Sequence, residues 1–130
     1  MKTLALKATK KQYNTLNLVP RKSNRKLAIQ LKNRIEIIDM KDILYCQSDA
    51  NYTHIYMEGG QRILLSKTLK SVGEALNHSF IRIHQSYLIN INKVTAIGNE
   101  VELQKSISLP ISRAKKNATL EAIKRYFTII

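Results

Sequence analysis

Apolar and polar residues alternate along most of the chain with the two-residue period of β-strands. Gly59-Gly60 and Gly98-Asn99 each separate two such runs, which predicts two antiparallel hairpins. The run at residues 43–47 has little polar relief and is predicted to be a central strand, whereas Pro110 places the last strand, 107–111, at an edge. The pattern predicts a mainly β, antiparallel fold with about eight strands.

Two stretches change to the helical period. In the first, apolar residues recur between a capping threonine and a terminal asparagine, in the order Thr68, Leu69, Val72, Leu76 and Asn77. In the second, Ser112 is predicted to cap a C-terminal helix whose core-facing residues are Leu120, Ile123 and Phe127. The sequence thus predicts one short internal helix and one C-terminal helix.

The first predicted hairpin covers residues 27–38. Its apolar residues alternate on both sides of the turn Lys32-Asn33-Arg34. We expect one buried face, formed by Leu27, Ile29, Leu31, Ile35 and Ile37.

The stretch Phe80–Asn92 is a strong candidate for function. Its strand alternation breaks at Gln85 and Ser86, and the apolar residues from Tyr87 onward return the chain to the interior. A turn held on both sides by buried residues presents its side chains at a low entropic cost, which suits a binding group.

The charge is concentrated at the N-terminus. The 130-residue chain has 22 Lys and Arg against 9 Asp and Glu, a formal charge of +13, and eight of the basic residues and no acid lie in residues 1–26. We interpret residues 1–26 as a basic arm or interdomain linker and residues 27–130 as one domain. The excess of positive charge favours a polyanionic partner, of which nucleic acid is the commonest, although a solvated basic surface would have the same composition.

Other classes of protein are disfavoured. The sequence has no apolar run of membrane-spanning length and no secretory h-region, so a cytoplasmic location and no membrane partner are expected. Cys46 lies in an apolar run and is expected to be buried. The three histidines and the cysteine lack metal-ligand spacing, and His84 beside Ser86 lacks the glycine-rich elbow of a nucleophile, so neither an enzyme nor a cofactor is expected.

Several ordered motifs carry a resemblance to a known family. The phrase Phe80-Ile81-Arg82-Ile83-His84-Gln85-Ser86-Tyr87-Leu88-Ile89-Asn90 is similar to the signature of the LytTR family of bacterial DNA-binding domains. Further matches to the family lie at Asp42–Cys46, Ser48, Asn51-Tyr52, Lys67–Lys70 and Leu109–Arg113. The resemblance covers about residues 27–125, which is nearly everything except the basic arm.

The resemblance implies an elongated, mainly β fold whose loops enter successive major grooves of double-stranded DNA. It also implies transcription regulation as the output domain of a two-component response regulator, with a receiver domain outside this chain, and homodimers on repeated half-sites. Two positions depart from the family: Gln85 stands where a longer donor such as arginine is common, and Ala50 where glycine is common.

Three residues are candidate base readers. Gln85 offers a donor and an acceptor to an adenine edge, Arg113 offers the fork that matches guanine, and Thr53 offers a methyl and a hydroxyl group to thymine or phosphate. Residues predicted to contact the DNA backbone or to support the readers are Asn51, Ser66, Lys67, Arg82, His84, Lys115 and Lys116.

Two alternative functions remain open from the sequence. A single-stranded RNA-binding β-domain would need exposed aromatic residues on a sheet face, for which Tyr52 and Tyr56 are the candidates, although core packing is the better explanation of both. The other alternative is a protein interaction module whose positive charge is incidental.

Overall fold

The computed structural model describes residues 24–130, which form ten strands and two α-helices. The strands and helices are β1 (Lys26–Gln30), β2 (Ile35–Asp39), β3 (Ile43–Asp49), β4 (Tyr52–Met57), β5 (Arg62–Leu65), α1 (Leu69–Ala75), β6 (Phe80–His84), β7 (Tyr87–Asn90), β8 (Val94–Ile97), β9 (Glu100–Leu103), β10 (Ile107–Pro110) and α2 (Lys116–Tyr126). The predicted mainly β fold with one internal and one C-terminal helix is confirmed, with ten strands in place of about eight.

The strands form three antiparallel sheets. A five-stranded sheet has the order β5-β4-β3-β7-β6, so that β3 is central as predicted. A three-stranded sheet has the order β10-β9-β8, which places Pro110 on an edge strand, also as predicted. β1 and β2 form a separate two-stranded hairpin.

The five-stranded sheet is the middle layer of the protein. On one face, Cys46, Ile55 and Leu88 pack with α1 and the β1–β2 hairpin. On the other face, Ile83 and Ile89 pack with the three-stranded sheet. Because both faces are covered over much of their area, the backbone of this sheet is a rigid support for the loops at its ends.

The β1–β2 hairpin buries a different set of residues from the one predicted. Leu27 pairs with Ile38, and Ile29 pairs with Glu36, so the inward residues of β2 are Glu36 and Ile38. Ile35 and Ile37 occupy the other face and are 59% and 64% exposed. The prediction that Ile35 and Ile37 are buried is therefore wrong: the turn shifts the strand by one residue, and a one-residue shift exchanges the two faces.

The helix caps agree with the sequence pattern. The Thr68 hydroxyl accepts a hydrogen bond from the Ser71 amide at the start of α1, and α1 ends at Ala75. Ser112 accepts a hydrogen bond from the Lys115 amide in a short 3-10 turn that leads into α2. In α2 the buried residues are Thr119, Ala122 and Ile123. Phe127 lies beyond the last turn and is 41% exposed, so its predicted place in the core is wrong.

Most of the predicted basic arm lies outside the described residues, which begin at residue 24. Its last three residues are bonded to the body of the domain. The Met40 amide donates to the Arg25 carbonyl at 2.8 Å, the Asn77 side chain donates to the Asn24 carbonyl at 2.6 Å, and Lys26 opens β1. None of the helices in residues 24–130 is both long and apolar enough to cross a bilayer.

Candidate nucleic-acid interface

Four loops meet at one end of the five-stranded sheet, which we call the loop end. They are the turn between β3 and β4 (residues 49–52), the β5–α1 connection (66–67), the β6–β7 turn (85–86) and the β10–α2 connection (112–113). The first three lie at the same end because the register pairs Asp49 with Tyr52 and Thr53 with Leu65, and both Gln47 and His84 with Tyr87. Five strands at the usual spacing extend over about 19 Å, which is wider than one major groove of about 12 Å.

The fourth loop joins this end through one backbone hydrogen bond. The Ser112 amide donates to the carbonyl of Ile83, on the edge strand β6, at 2.8 Å. The bond places Arg113 beside the strand that carries the Gln85 turn. The two residues predicted to read different bases are therefore close together in the fold, although 28 positions separate them in the sequence.

The Gln85 turn is held by hydrogen bonds on both sides. Arg82 donates from Nε to the His84 carbonyl at 2.9 Å and from Nη2 to the Gln85 carbonyl at 2.5 Å. The Ser86 carbonyl accepts the Ser48 amide at 3.0 Å, which ties this turn to β3. The register of β6 against β7 shifts between Arg82 and His84, as at a β-bulge, a feature that re-aims side chains. The Gln85 side chain is exposed, as its predicted role requires.

Arg82 and His84 act within the protein. The Arg82 guanidinium is half-buried and binds two carbonyl oxygens of the turn, and Nδ1 of His84 accepts the Ser86 amide at 3.0 Å. The His84 ring also contacts the Tyr87 ring, with centroids 5.6 Å apart. Of the roles predicted for these two residues, the geometry favours support of the turn over contact with the DNA backbone.

Thr53 does not occupy the position expected of a base reader. Its side chain is fully buried, and its hydroxyl donates to the Lys67 carbonyl at 2.7 Å. The prediction that Thr53 contacts thymine or phosphate is inconsistent with this burial, because the first residues of β4 already lie in the ladder between β3 and β5. Thr53 instead anchors the β5–α1 connection that carries Ser66 and Lys67.

The β3–β4 turn exposes Asn51, together with Asp49 and Tyr52, which the sequence pattern does not assign to the DNA interface. Asp49 pairs with Nε2 of His54 at 3.0 Å, and Tyr52 is 47% exposed next to Asn51. Ala50 has φ of +55°, a left-handed conformation that a side chain disfavours. The preference of the family for glycine at this position was the sequence signal for that backbone.

The basic side chains of the interface differ in whether they bond to another group of the protein. Ser66 and Lys67 are exposed, and in the described part of the chain neither Lys67, Arg113 nor Lys115 makes an ion pair. Lys116 donates to Oδ1 of Asn99 at 3.0 Å and so links α2 to the β8–β9 hairpin. Lys67, Arg113 and Lys115 therefore have charge available for a phosphate or a base.

The residues that the structure describes offer few side chains suited to metal binding or to nucleophilic catalysis. No group of three or more metal-ligating side chains occurs in residues 24–130. Cys46 is buried, and burial raises the pKa of its thiol to about 12, so the nucleophilic thiolate is scarce at neutral pH.

Within residues 24–130, the aromatic residues of the five-stranded sheet do not form an open stacking surface. Tyr56 stacks on Tyr45, with ring centroids 4.6 Å apart, and Tyr45 also contacts Tyr87. Tyr52 is the more accessible of the two rings that the RNA-binding alternative requires. Since single-strand binders stack successive bases on several exposed rings, this arrangement favours duplex DNA over single-stranded RNA.

Comparisons with known proteins agree with the resemblance in the sequence. A family model described as the LytTr DNA-binding domain matches residues 33–124. Two transcriptional regulators of Paraburkholderia xenovorans (strain LB400), the heme-containing CO-sensing regulators RcoM 1 and RcoM 2, are each 28% identical over 92 residues. The match covers 70% of this chain and 33% of each regulator, so the chain spans about a third of the length of these relatives.

A solved structure shares the fold. The LytTr DNA-binding domain of a putative methyl-accepting/DNA response regulator from Bacillus cereus superposes with a TM-score of 0.67 at 16% identity, over 78% of this chain and 98% of that domain. The family match covers well over half of the chain and includes all four loops in full. The chain therefore belongs to the LytTR family of DNA-binding domains.

Proposed function

We propose that the protein is a sequence-specific regulator of transcription that binds double-stranded DNA with the loop end. The observation that carries this proposal is the convergence of the exposed Gln85 and Arg113 on one end of a sheet that is packed on both faces. Base readers must be held in a fixed relation to one another, and the bond from Ser112 to Ile83 supplies that relation. Gln85 reads adenine and Arg113 reads guanine in this proposal.

The remaining loops supply contacts to phosphate. Asn51, Ser66 and Lys67 lie on one side of the Gln85 turn, and Lys115 lies beyond Arg113, so polar and basic groups flank both readers. Lys116 is tied to Asn99 and contributes mainly through the placement of α2. Phosphate contacts fix the register of a protein on the duplex without reading sequence.

The cellular context is also part of the proposal. The relatives are described as transcriptional regulators, and the B. cereus domain comes from a putative response regulator. We propose that this chain is likewise the output domain of a two-component regulator in the bacterial cytoplasm and binds repeated half-sites as a homodimer. The residues that precede β1 would act as a linker to a receiver domain and, through their basic side chains, add affinity for any duplex.

Selection of bound sequences from a random duplex pool tests the proposed readers. Arg113→Ala should weaken binding by about 1–3 kcal/mol and relax one guanine position, and Gln85→Ala should relax a different position, most often adenine, by a similar amount. Arg113→Lys keeps the charge but loses the rigid fork, so it should also lose discrimination at the guanine. Asn51→Ala is the matched control, because it should weaken binding to all duplexes without changing the motif.

Two results would contradict the assignment. If the Arg113 and Gln85 variants both return the parental motif with uniform weakening, these residues contact the DNA backbone and other groups read the bases. If the unmodified protein prefers a single strand to a duplex of mixed sequence in competition, the RNA-binding alternative replaces the proposal.

A further inference from the structure

Three turns in residues 24–130 share one local hydrogen bond, in which a side chain accepts the amide two residues further on. Asn77 Oδ1 accepts the Ser79 amide, and Asn90 Oδ1 accepts the Asn92 amide, each at 3.0 Å. In the third turn His84 Nδ1 accepts the Ser86 amide, also at 3.0 Å. Asparagine is the usual residue for such a turn, because its side-chain oxygen is always an acceptor. The turn that carries Gln85 uses a titratable acceptor instead.

The Ser86 bond fixes the protonation state of the histidine ring. A backbone amide is always a donor, so the bond requires a lone pair on Nδ1 and places the ring proton of neutral His84 on Nε2. An imidazolium carries protons on both nitrogens and would direct an N–H at the Ser86 N–H. The observed turn and a protonated His84 are therefore incompatible.

The groups around the ring do not offer a substitute for this bond. Arg82, on the same strand, donates to the His84 carbonyl; Tyr87, on β7, contacts the ring; and Arg113 follows the residue bonded to Ile83. On β3, the neighbouring contact is the Ser48 amide, which donates to Ser86. The ring itself contacts the Ser86 amide and the Tyr87 ring, and in residues 24–130 no carboxylate forms an ion pair with it. A proton on Nδ1 would thus break a bond without gaining an anionic partner in the free protein.

Loss of the bond between His84 and Ser86 would directly affect the backbone that positions Gln85. Gln85 lies between the two residues that the bond joins, and the Ser86 carbonyl is the link from this turn to β3. Loss of the Ser86 amide bond therefore loosens the turn at the residue that follows Gln85, while the bonds from Arg82 to the His84 and Gln85 carbonyls remain. Arg113 is anchored one residue earlier, at Ile83, and is affected less.

We propose that neutral His84 is a positioning residue that locks the Gln85 turn, and that its protonation unlocks the turn and lowers discrimination at the base that Gln85 reads. The proposal rests on the proposed function for its effect on DNA. The loss of discrimination therefore appears as the pH is lowered and the ring gains its second proton. Affinity for duplexes in general does not fall with it, because the new charge attracts phosphate.

Two substitutions distinguish the presence of a hydrogen-bond acceptor at position 84 from the ability of that acceptor to be protonated. In His84→Asn the side-chain oxygen takes the place of Nδ1 and does not titrate, whereas His84→Gln moves the acceptor away from Ser86. Discrimination is measured as the ratio of dissociation constants for the selected duplex and for a duplex changed at the Gln85-dependent position, at about pH 8 and about pH 5.5. This ratio cancels any change in general affinity for phosphate.

The unmodified protein should lose discrimination by about fivefold or more at the lower pH. His84→Asn should keep the high ratio at both pH values, and His84→Gln should have a low ratio at both. Equal pH dependence in the unmodified protein and His84→Asn would overturn the proposal, as would full discrimination by His84→Gln.

A readout without DNA distinguishes failure of this lock from failure of the proposed function. Ring nitrogen chemical shifts should report the Nε2–H tautomer of His84 near pH 8, and hydrogen exchange at the Ser86 amide should accelerate as the ring protonates. The His84→Asn variant should protect the Ser86 amide at both pH values. An unprotected Ser86 amide near pH 8 would refute the lock, whereas a protected amide in a protein without duplex preference would refute only the proposed function.

Discussion

The two ends of the five-stranded sheet differ in whether particular lysine and arginine side chains have an ionic partner. At the far end, around the turn Glu58–Gly60, Lys93 donates to Glu58 at 2.8 Å and Gln104 donates to the same carboxylate. At the loop end, Lys67 and Arg113 are exposed and unpaired within the part of the chain that the structure describes. Paired charges serve the fold, whereas cations without partners are available to an external anion, so the comparison distinguishes a structural end from a binding end.

The largest expected effect on stability lies at the far end, at Asn90. This buried side chain donates to the Ile43 carbonyl at 2.9 Å and accepts the Asn92 amide at 3.0 Å. Asn90→Ala removes both hydrogen bonds and leaves the buried Ile43 carbonyl without this donor, so we expect denaturant unfolding to show a loss of about 1–3 kcal/mol. The DNA motif selected by the folded variant should not change.

Asn51→Ala is the matched substitution at the loop end. Asn51 is exposed, so its removal should leave the free energy of unfolding within about 0.5 kcal/mol of the original while weakening binding to DNA. If Asn90→Ala changed the motif, or if Asn51→Ala lowered stability by as much as Asn90→Ala, the division between the two ends would be wrong.

The strands and turns could be predicted from the sequence because their signals are local. Gly59-Gly60, Pro110 and the cap Thr68 each lie where the pattern placed them. The burial of Ile35 and Ile37 could not be predicted in the same way, since the face of a hairpin depends on a register that shifts by single residues.

In the interface, too, the sequence indicates features marked by local motifs but not those that depend on contacts between distant segments. A motif marks Gln85 and Arg113 as candidate readers, and both are exposed at the loop end; that they read bases stays a prediction. Thr53 was misplaced because the sequence does not show that its hydroxyl donates to the Lys67 carbonyl, 14 residues away. The supporting bonds of Arg82 and His84 depend on a β-bulge, and the bond between Ser112 and Ile83 joins distant segments, so neither could be derived from local alternation.

Lys67 provides the next test of the comparison. Each contact between a basic side chain and a phosphate contributes about 0.9 to the slope of log K against log salt, or a factor of about eight between 1 M and 0.1 M salt. Lys67→Ala should lower that slope by about 0.9 for every duplex. Lys93→Ala, which removes a paired lysine at the far end, should leave the slope unchanged. Equal slopes for the two variants would mean that Lys67 does not contact phosphate.

A smaller effect is expected at Ala50, where the turn of the loop end is strained. A left-handed backbone costs an L-residue about 1–2 kcal/mol, which glycine would avoid. Part of that gain is lost because glycine has greater conformational freedom in the unfolded chain. Ala50→Gly should therefore stabilise the protein by about 0.5–1 kcal/mol in denaturant unfolding. Ala28→Gly, in the ordinary strand β1, should destabilise it instead, and a loss of stability in both variants would contradict the strain at Ala50.

The smallest effect concerns the paired charge at the far end. The hydrogen bond from Lys93 holds the pKa of Glu58 below its ordinary value of 4.5, with further lowering by the charge of Lys93. A carboxyl group whose pKa is lower in the folded state stabilises the fold above its ordinary pKa, and this contribution disappears as the pH falls through the lower folded value. Glu58→Gln should thus reduce the melting temperature slightly at pH 7, and the difference from the unmodified protein should vanish in strong acid.

Glu74→Gln, which removes an exposed carboxylate outside any ion pair of the described residues, serves as the control. Neither variant should alter the DNA motif, because the charge of Glu58 is used within the fold, and a changed motif in Glu58→Gln would show that the far end also takes part in binding.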